Sequence, residues 1–219
     1  MNTVFYIIFS ILIFMTILIG YKKFRSTTLY ALAIGGVVNA NFFHAGNYPI
    51  DCFGLPFGID SIIYTLFAFC VILMFFNEGK GSAYLLAFSS IIAIFFSALM
   101  QLVADLLSQG SSIAVWNTFF TFSVSILASI IGVIVMLEIL DKIKSKFNQY
   151  ILSLFGILII SIINTAIYSP LSTLINGTPA NIGTLLLTSI IGKLFALIIS
   201  LFVLWIINKI NKPKTNNKN

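Results

Sequence analysis

The stretch KGSAYLLAFSSIIAIFFSALMQLVADLLSQGSSIAVWNTFFTFSVSILASIIGVIVMLEILDKIKSK, residues 80–146, decides the fold. Lys80 opens it, Lys142, Lys144 and Lys146 close it, and no Lys or Arg lies between. Its two apolar runs, 82–107 and 113–140, each exceed the length needed to cross hydrocarbon, about 20 residues. They read as two membrane helices whose basic ends share one side. The pattern continues in both directions. Lys22, Lys23 and Arg25 follow the first apolar run, and Lys209, Lys212, Lys214 and Lys218 follow the last. The gaps at 44–58, 106–112 and 169–183 carry no Lys or Arg, so eleven of the 12 cationic residues fall in alternate gaps. Cationic side chains cross a bilayer reluctantly during insertion, so this alternation reports topology. It predicts an all-α polytopic transmembrane helical bundle with spans at 3–21, 28–44, 59–77, 82–107, 113–140, 149–168 and 184–208. The N-terminus is then outside and the C-terminus cytoplasmic.

Composition agrees. Apolar residues make up 59% and charged residues 8% of the 219, against about 25% charged in soluble domains. Residues 1–208 form one expected transmembrane domain, and 209–219 a short basic, disordered cytoplasmic tail. The net charge of +6 is dispersed over short loops, which fits contact with anionic headgroups and not with nucleic acid. The expected location is the cell membrane, multi-pass, of the bacterial cytoplasmic kind. The fourth and fifth spans are long enough to tilt or protrude. The second is short and interrupted by Gly35, Gly36, Asn39 and Asn41; were it re-entrant, six spans would result. The segments 47–58 and 169–183, rich in Pro, Gly and Asn, are expected outer loops.

Small residues at four-residue spacing mark expected helix contacts, because i and i+4 share a face and small side chains let backbones approach. Such rows are Ser89, Ala93, Ser97, Gln101 and Asp105; Asn117, Thr121, Ser125 and Ser129, continued by Gly132; and Thr184, Thr188, Gly192, Ala196 and Ser200. The first span, with only Ser10 and Thr16 as small polar breaks, is expected to face lipid or a partner.

Lys193 lies about nine residues into the last span. A charge at mid-membrane costs roughly 2.5–3.5 kcal/mol on insertion scales, so it normally meets a partner or a wet cavity. A binding or coupling role is one reading; snorkelling or a structural ion pair is the other. Asn39, Asn41, His44, Asp60, Gln101, Asp105, Asn117 and Asn164 fall in the outer halves or at the outer ends of their spans. Helix ends are commonly polar, which accounts for His44, Asp60 and Asp105. Gln101 and Asn164 sit several residues deeper and point to an outward-facing polar pocket. Asn39, Asn41, Gln101 and Asn164 are its candidate hydrogen-bonding groups, Lys193 its buried charge, and Phe43 or Tyr168 candidate stacking partners. Glu138 and Asp141, beside Lys142 and Lys144, read as a solvated or headgroup-level cluster.

Several chemistries find no support. The chain has no Walker-type loop, no His-Glu-x-x-His helix and no Gly-x-Ser-x-Gly elbow. With one His, and with Cys52 and Cys70 lacking metal-ligand spacing, no enzyme, metal or cofactor is expected.

Asn39-Ala-Asn41, Phe53-Gly-Leu55, Gly58, Ile63-Tyr64 and Asn77-Glu-Gly-Lys-Gly-Ser-Ala83 together resemble the first half of the VUT family. These are the YhhQ-like queuosine precursor transporters, also called vitamin uptake transporters. Asp141-Lys-Ile-Lys-Ser-Lys-Phe147 resembles the family's basic loop after a long span, Asn164-Thr165 falls at its Asp-Ser pair, and Lys193 at its Lys in the last span. The departures are specific. The family's Asp and Glu near the end of the third span are replaced by Val71-Ile-Leu-Met-Phe-Phe76, with Glu78 displaced toward the loop. Its polar element in the fifth span reads Val135-Met136-Leu137, and its acid in the last span aligns near Ser200. The resemblance therefore implies the family's fold more strongly than its substrate.

The expected function is import of a small organic solute, a deazaguanine queuosine precursor or another micronutrient. One alternative is a substrate-binding membrane subunit that needs an energising partner subunit, like the S-components of energy-coupling-factor transporters. Another is a non-transporting membrane interaction protein. The expected partners are a small-molecule substrate, the lipid bilayer, and either a membrane subunit or a second copy of the chain.

Overall fold

The computed structural model describes residues 2–45, 49–52 and 55–177, with short helical pieces at 191–192, 194–195, 197–199 and 201–202. Six helices run in order: α1 (Asn2–Phe24), α2 (Ser26–Ala45), α3 (Ile59–Glu78), α4 (Lys80–Gln109), α5 (Ile113–Ile143) and α6 (Gln149–Asn176). Between α2 and α3, β1 (Pro49–Cys52) pairs antiparallel with β2 (Leu55–Gly58) in the register Pro49↔Gly58 to Cys52↔Leu55. Two residues separate the strands, the shortest common hairpin connection, where the sequence suggested only a loop. The tail, Thr184, Thr188, Lys193, Ala196 and Ser200 lie outside the described residues. Gly192 is described and buried.

The connections are short and chemically marked. Arg25 alone joins α1 to α2 and takes a left-handed backbone, φ 53°. Gly79 alone joins α3 to α4 at φ 94°, a conformation that suits glycine. Ser112 caps α5 by accepting from the Val115 amide, and Asn148 caps α6 by accepting from the Ile151 amide at 2.9 Å.

Helix α3 is the axis of the bundle. From Ile62 to Phe75 every residue except Tyr64 is buried, as a helix apolar on all sides requires. Around it pack α2, α4 and α6, while α5 packs on both α4 and α6. Each contact has a residue-level cause. Leu29, Ala33 and Val37 line the inner face of α2, and a Cβ on Gly36 would stand 2.9 Å from Leu66 Cδ2. On α5, a Cβ on Gly132 would stand 3.0 Å from Ile160 Cγ1 and 3.6 Å from the Ile160 carbonyl. On α6, a Cβ on Gly156 would stand 2.8 Å from Ile72 Cδ1. These glycines set how closely α2, α5 and α6 approach their neighbours.

Four expectations change in detail. The second span is a continuous 20-residue helix, with no break at its glycines or asparagines. Helix α6 runs to Asn176, eight residues past the expected end, and stops at Gly177 in the left-handed conformation. Pro170 lies inside it, and the turn that follows is reinforced by Ser172 and Thr173, whose hydroxyls donate to the Ser169 carbonyl at 3.1 and 2.7 Å. A single proline removes one backbone donor and need not end a long helix. The buried row of α4 is Ala83, Ala87, Ile91 and Ala98 with Ser90 and Ile94; the row from Ser89 to Asp105 lies beside it and is half-buried. Helix α1 sends Ser10, Phe14, Ile17 and Leu18 into the core, with Phe14 edge-on to Phe69 at 5.5 Å, and exposes Val4, Ile8, Leu12 and Ile19.

Among the described residues, α4, α5, α6 and the Ile7–Phe24 part of α1 are long and apolar enough to cross a membrane, and Ile62–Glu78 of α3 is a shorter apolar helix.

Candidate functional site

Inside an apolar bundle each polar side chain needs a partner, so the place where such groups collect is informative. Among the described residues, buried polar side chains concentrate on three helices: Thr65 on α3, Thr121 and Ser129 on α5, and Ser153, Ser161, Thr165 and Ser169 on α6, with Ser10 on α1 and Ser90 on α4 standing apart. Tyr64 joins the α3 side to α5, its Oη standing 3.1 Å from Ser125 Oγ. Several hydroxyls return their protons to their own helix: Ser129 to the Ser125 carbonyl, Thr121 to that of Asn117 and Ser153 to that of Gln149, each at 2.8 Å. That satisfies the donor and leaves oxygen lone pairs facing the helix contact.

Between these three helices is a cavity just large enough for one water. Tyr64, Thr65, Ser129, Ser161 and Asn164 supply its polar wall, and Phe67, Ala68, Ile157 and Ile160 its apolar wall. Of the candidate binding residues whose side chains are described, Asn164 is the one placed here, beside Ser129 of the small-residue row on α5. Asn39 is exposed on α2 and donates to its own helix, at the Gly35 carbonyl, over 2.8 Å. Gln101 is half-buried on α4 and donates to Asp105 Oδ1 at 2.9 Å, one helical turn away. The side chains of Asn41, Phe43, His44 and Asp60, and all of Lys193, lie outside the described residues.

The depth argument passed over Thr65, Ser129 and Ser161 as site residues. For Ser161 a signal was available on α6, where Ser153, Ile157, Ser161, Thr165 and Ser169 recur every four residues and are all buried; Ser129 stood in the row of small residues on α5, and Thr65 had no such signal.

A second polar cluster lies at one end of the bundle. Lys80 Nζ is 2.8 Å from Glu138 Oε1 and 3.4 Å from Asp141 Oδ2, and Lys144 Nζ is 2.8 Å from Asp141 Oδ1. Tyr84 donates to Glu138 at 2.9 Å, and Lys144 stands over the Phe75 ring at 5.8 Å. The expected surface cluster of Glu138 and Asp141 is therefore an ionic link from the start of α4 to the end of α5. Glu78, at the end of α3, lies close enough to act electrostatically on Tyr21 and Tyr30, which flank the α1–α2 turn. The three basic junctions of the described chain thus gather at one end.

Long apolar helices around a small polar cavity are compatible with a membrane protein. In comparison with known proteins, the chain matches no family model, no curated protein and no solved structure.

Proposed function

We propose that the chain is a multi-pass transporter of the cytoplasmic membrane that imports a small organic solute, without covalent chemistry. In this reading it has seven spans, with the N-terminus outside and the C-terminus inside. The observation that carries the reading is the polar cavity between α3, α5 and α6, on which Asn164 lies. Polar groups held inside a membrane bundle are costly, and they commonly mark a ligand site or pathway. The gathering of Lys80, Lys144 and the α1–α2 turn at one end supports the orientation. The resemblance to the VUT family directs the choice of solute toward a planar deazaguanine base. Asn164 would hydrogen-bond its edge, Asn41 and Lys193, whose side chains lie outside the described residues, would add an amide and a charge, and Phe43 or Tyr168 would stack on its face; Asn39 and Gln101, bonded within their own helices, take no part. Solute pockets span about 300–1,000 Å³, far more than one water, so loading requires the helices around Asn164 to part.

The test is uptake of a labelled deazaguanine base by cells expressing this chain alone, compared with Asn164→Ala. Saturable uptake that the substitution abolishes supports the reading. Binding without uptake would move the chain to the class of binding subunits that need an energising partner. Neither binding nor uptake would leave a non-transporting interaction protein. Orientation has its own readout: a cysteine placed at 110 should react from outside intact cells, and one at 145 only after permeabilisation. Labelling at 145 from outside would reverse the topology.

A further inference from the structure

We propose that the cavity between α3, α5 and α6 is a binding site for one dehydrated alkali cation, with Tyr64, Thr65, Ser129, Ser161 and Asn164 supplying its oxygen ligands. Size decides first. Space for about one water excludes a purine-sized solute and a hydrated ion, and admits a single bare ion or a water. Charge decides next. Neither Asp nor Glu lines the cavity, so a divalent cation lacks the carboxylates that such ions take. Neutral oxygens can instead replace the hydration shell of a monovalent ion, as rings of carbonyls do in selective channels. The Ser129 hydroxyl favours a cation over an anion. Ser129 gives its proton to the Ser125 carbonyl at 2.8 Å, so the cavity receives its lone pairs and not its hydrogen.

Burial makes the site a built one. Thr65, Ser129 and Ser161 are each exposed by 4% or less. Ser161 is buried and Asn164 half-buried where each lines the cavity. The ligands come from three helices, so an ion here ties α3 to the α5–α6 pair. A coupling role for that ion rests on the transporter reading above; the binding itself does not.

The experiment uses the purified full chain in detergent, melted in sodium, lithium, potassium and choline chloride at equal ionic strength. The expected result is a saturable rise in melting temperature of about 2–4 °C in at least one alkali chloride over choline. Ser161→Ala and Ser129→Ala should each lose that rise, while melting within about 2 °C of the parent in choline chloride. Alkali-metal NMR line widths on the same samples read ion binding without reference to stability. Equal melting in all four salts without line broadening would overturn the proposal, as would a cation response kept by both variants. Base uptake without a cation response would sink the cation site alone. A cation response in a chain that takes up no solute would sink the transporter reading and leave the site standing.

Discussion

Helices α3 and α4 are both apolar, yet they take opposite positions. Helix α3 is buried on all sides from Ile62 to Phe75, with Tyr64 the one partial exception. Helix α4 turns Leu85, Phe88, Ile92, Phe95, Phe96, Met100, Val103 and Leu107 outward, and keeps Ala83, Ala87, Ser90 and Ala98 inside together with Leu86, Ile91 and Ile94. In water that would be inverted, because large apolar side chains drive burial. In the bilayer proposed here, lipid is as apolar as leucine, so close approach of small residues decides which face turns inward. Hydrophobicity identifies these helices as spans. On α4, small residues set among buried Leu86, Ile91 and Ile94 help decide which face touches its neighbours.

If that contrast is right, removing bulk should matter only at the axis. Phe69→Ala, at a fully buried ring edge-on to Phe14, should cost about 3–5 kcal/mol. Phe96→Ala on the exposed face of α4 should stay within about 0.5 kcal/mol. Thermal or denaturant unfolding in detergent measures both, and equal losses would break the comparison. Adding bulk at a close contact should come next. Gly132→Leu pushes a side chain into the Ile160 backbone and should cost about 1–3 kcal/mol or more, whereas Ile13→Leu on α1 should be nearly silent. A smaller effect is expected at the ionic link. Lys80→Met removes the cation shared by Glu138 and Asp141 and should lower the melting temperature by less than either buried change. These groups are partly exposed and screened by salt, so the gap from the parent protein should narrow as salt is raised. A gap independent of salt would mean that Lys80 acts by packing. The smallest effect belongs to Ile92→Ala, at an outward site of α4, whose melting should be indistinguishable from the parent.

The six helices of the described chain were legible because charge and apolar length mark them directly. Their faces were legible in part. Of the row on α5, Thr121 and Ser129 are buried, Ser125 meets Tyr64 of α3, and Gly132 faces Ile160 of α6. On α4 the chosen row, Ser89 to Asp105, was adjacent to the buried one, because several rows of small residues share that helix and sequence cannot rank them. The end of α6 was misplaced because Pro170 reads as a stop signal, although its cost is one backbone bond within a 28-residue helix. Asn164 was singled out by depth and by the resemblance, and the structure sets it on the cavity wall. Depth could not foresee that Asn39 and Gln101 bond within their own helices, since an amide four residues from an acceptor satisfies itself locally. Nor could it pair Lys80 with Glu138 and Asp141, which stand about sixty residues apart in sequence and meet only through tertiary packing.

The single-residue joints at Arg25 and Gly79 have a mechanical consequence. Two helix ends separated by one residue stay within about 7 Å of each other, so α1 and α2 cannot spread at the basic end, and neither can α3 and α4. At the opposite end α2 and α3 are joined through the hairpin, and α4 and α5 through three residues, which gives those ends more slack. Each of the two tightly joined pairs therefore works as tweezers pivoted at the basic turns. The arms are about 30–45 Å long, so a rotation of roughly 10° at the pivot displaces the tips by about 5 Å or more. The cavity lies between α3 and the α5–α6 pair and not between the arms of either tweezers, so a swing of α3 is the one motion of that kind that changes it.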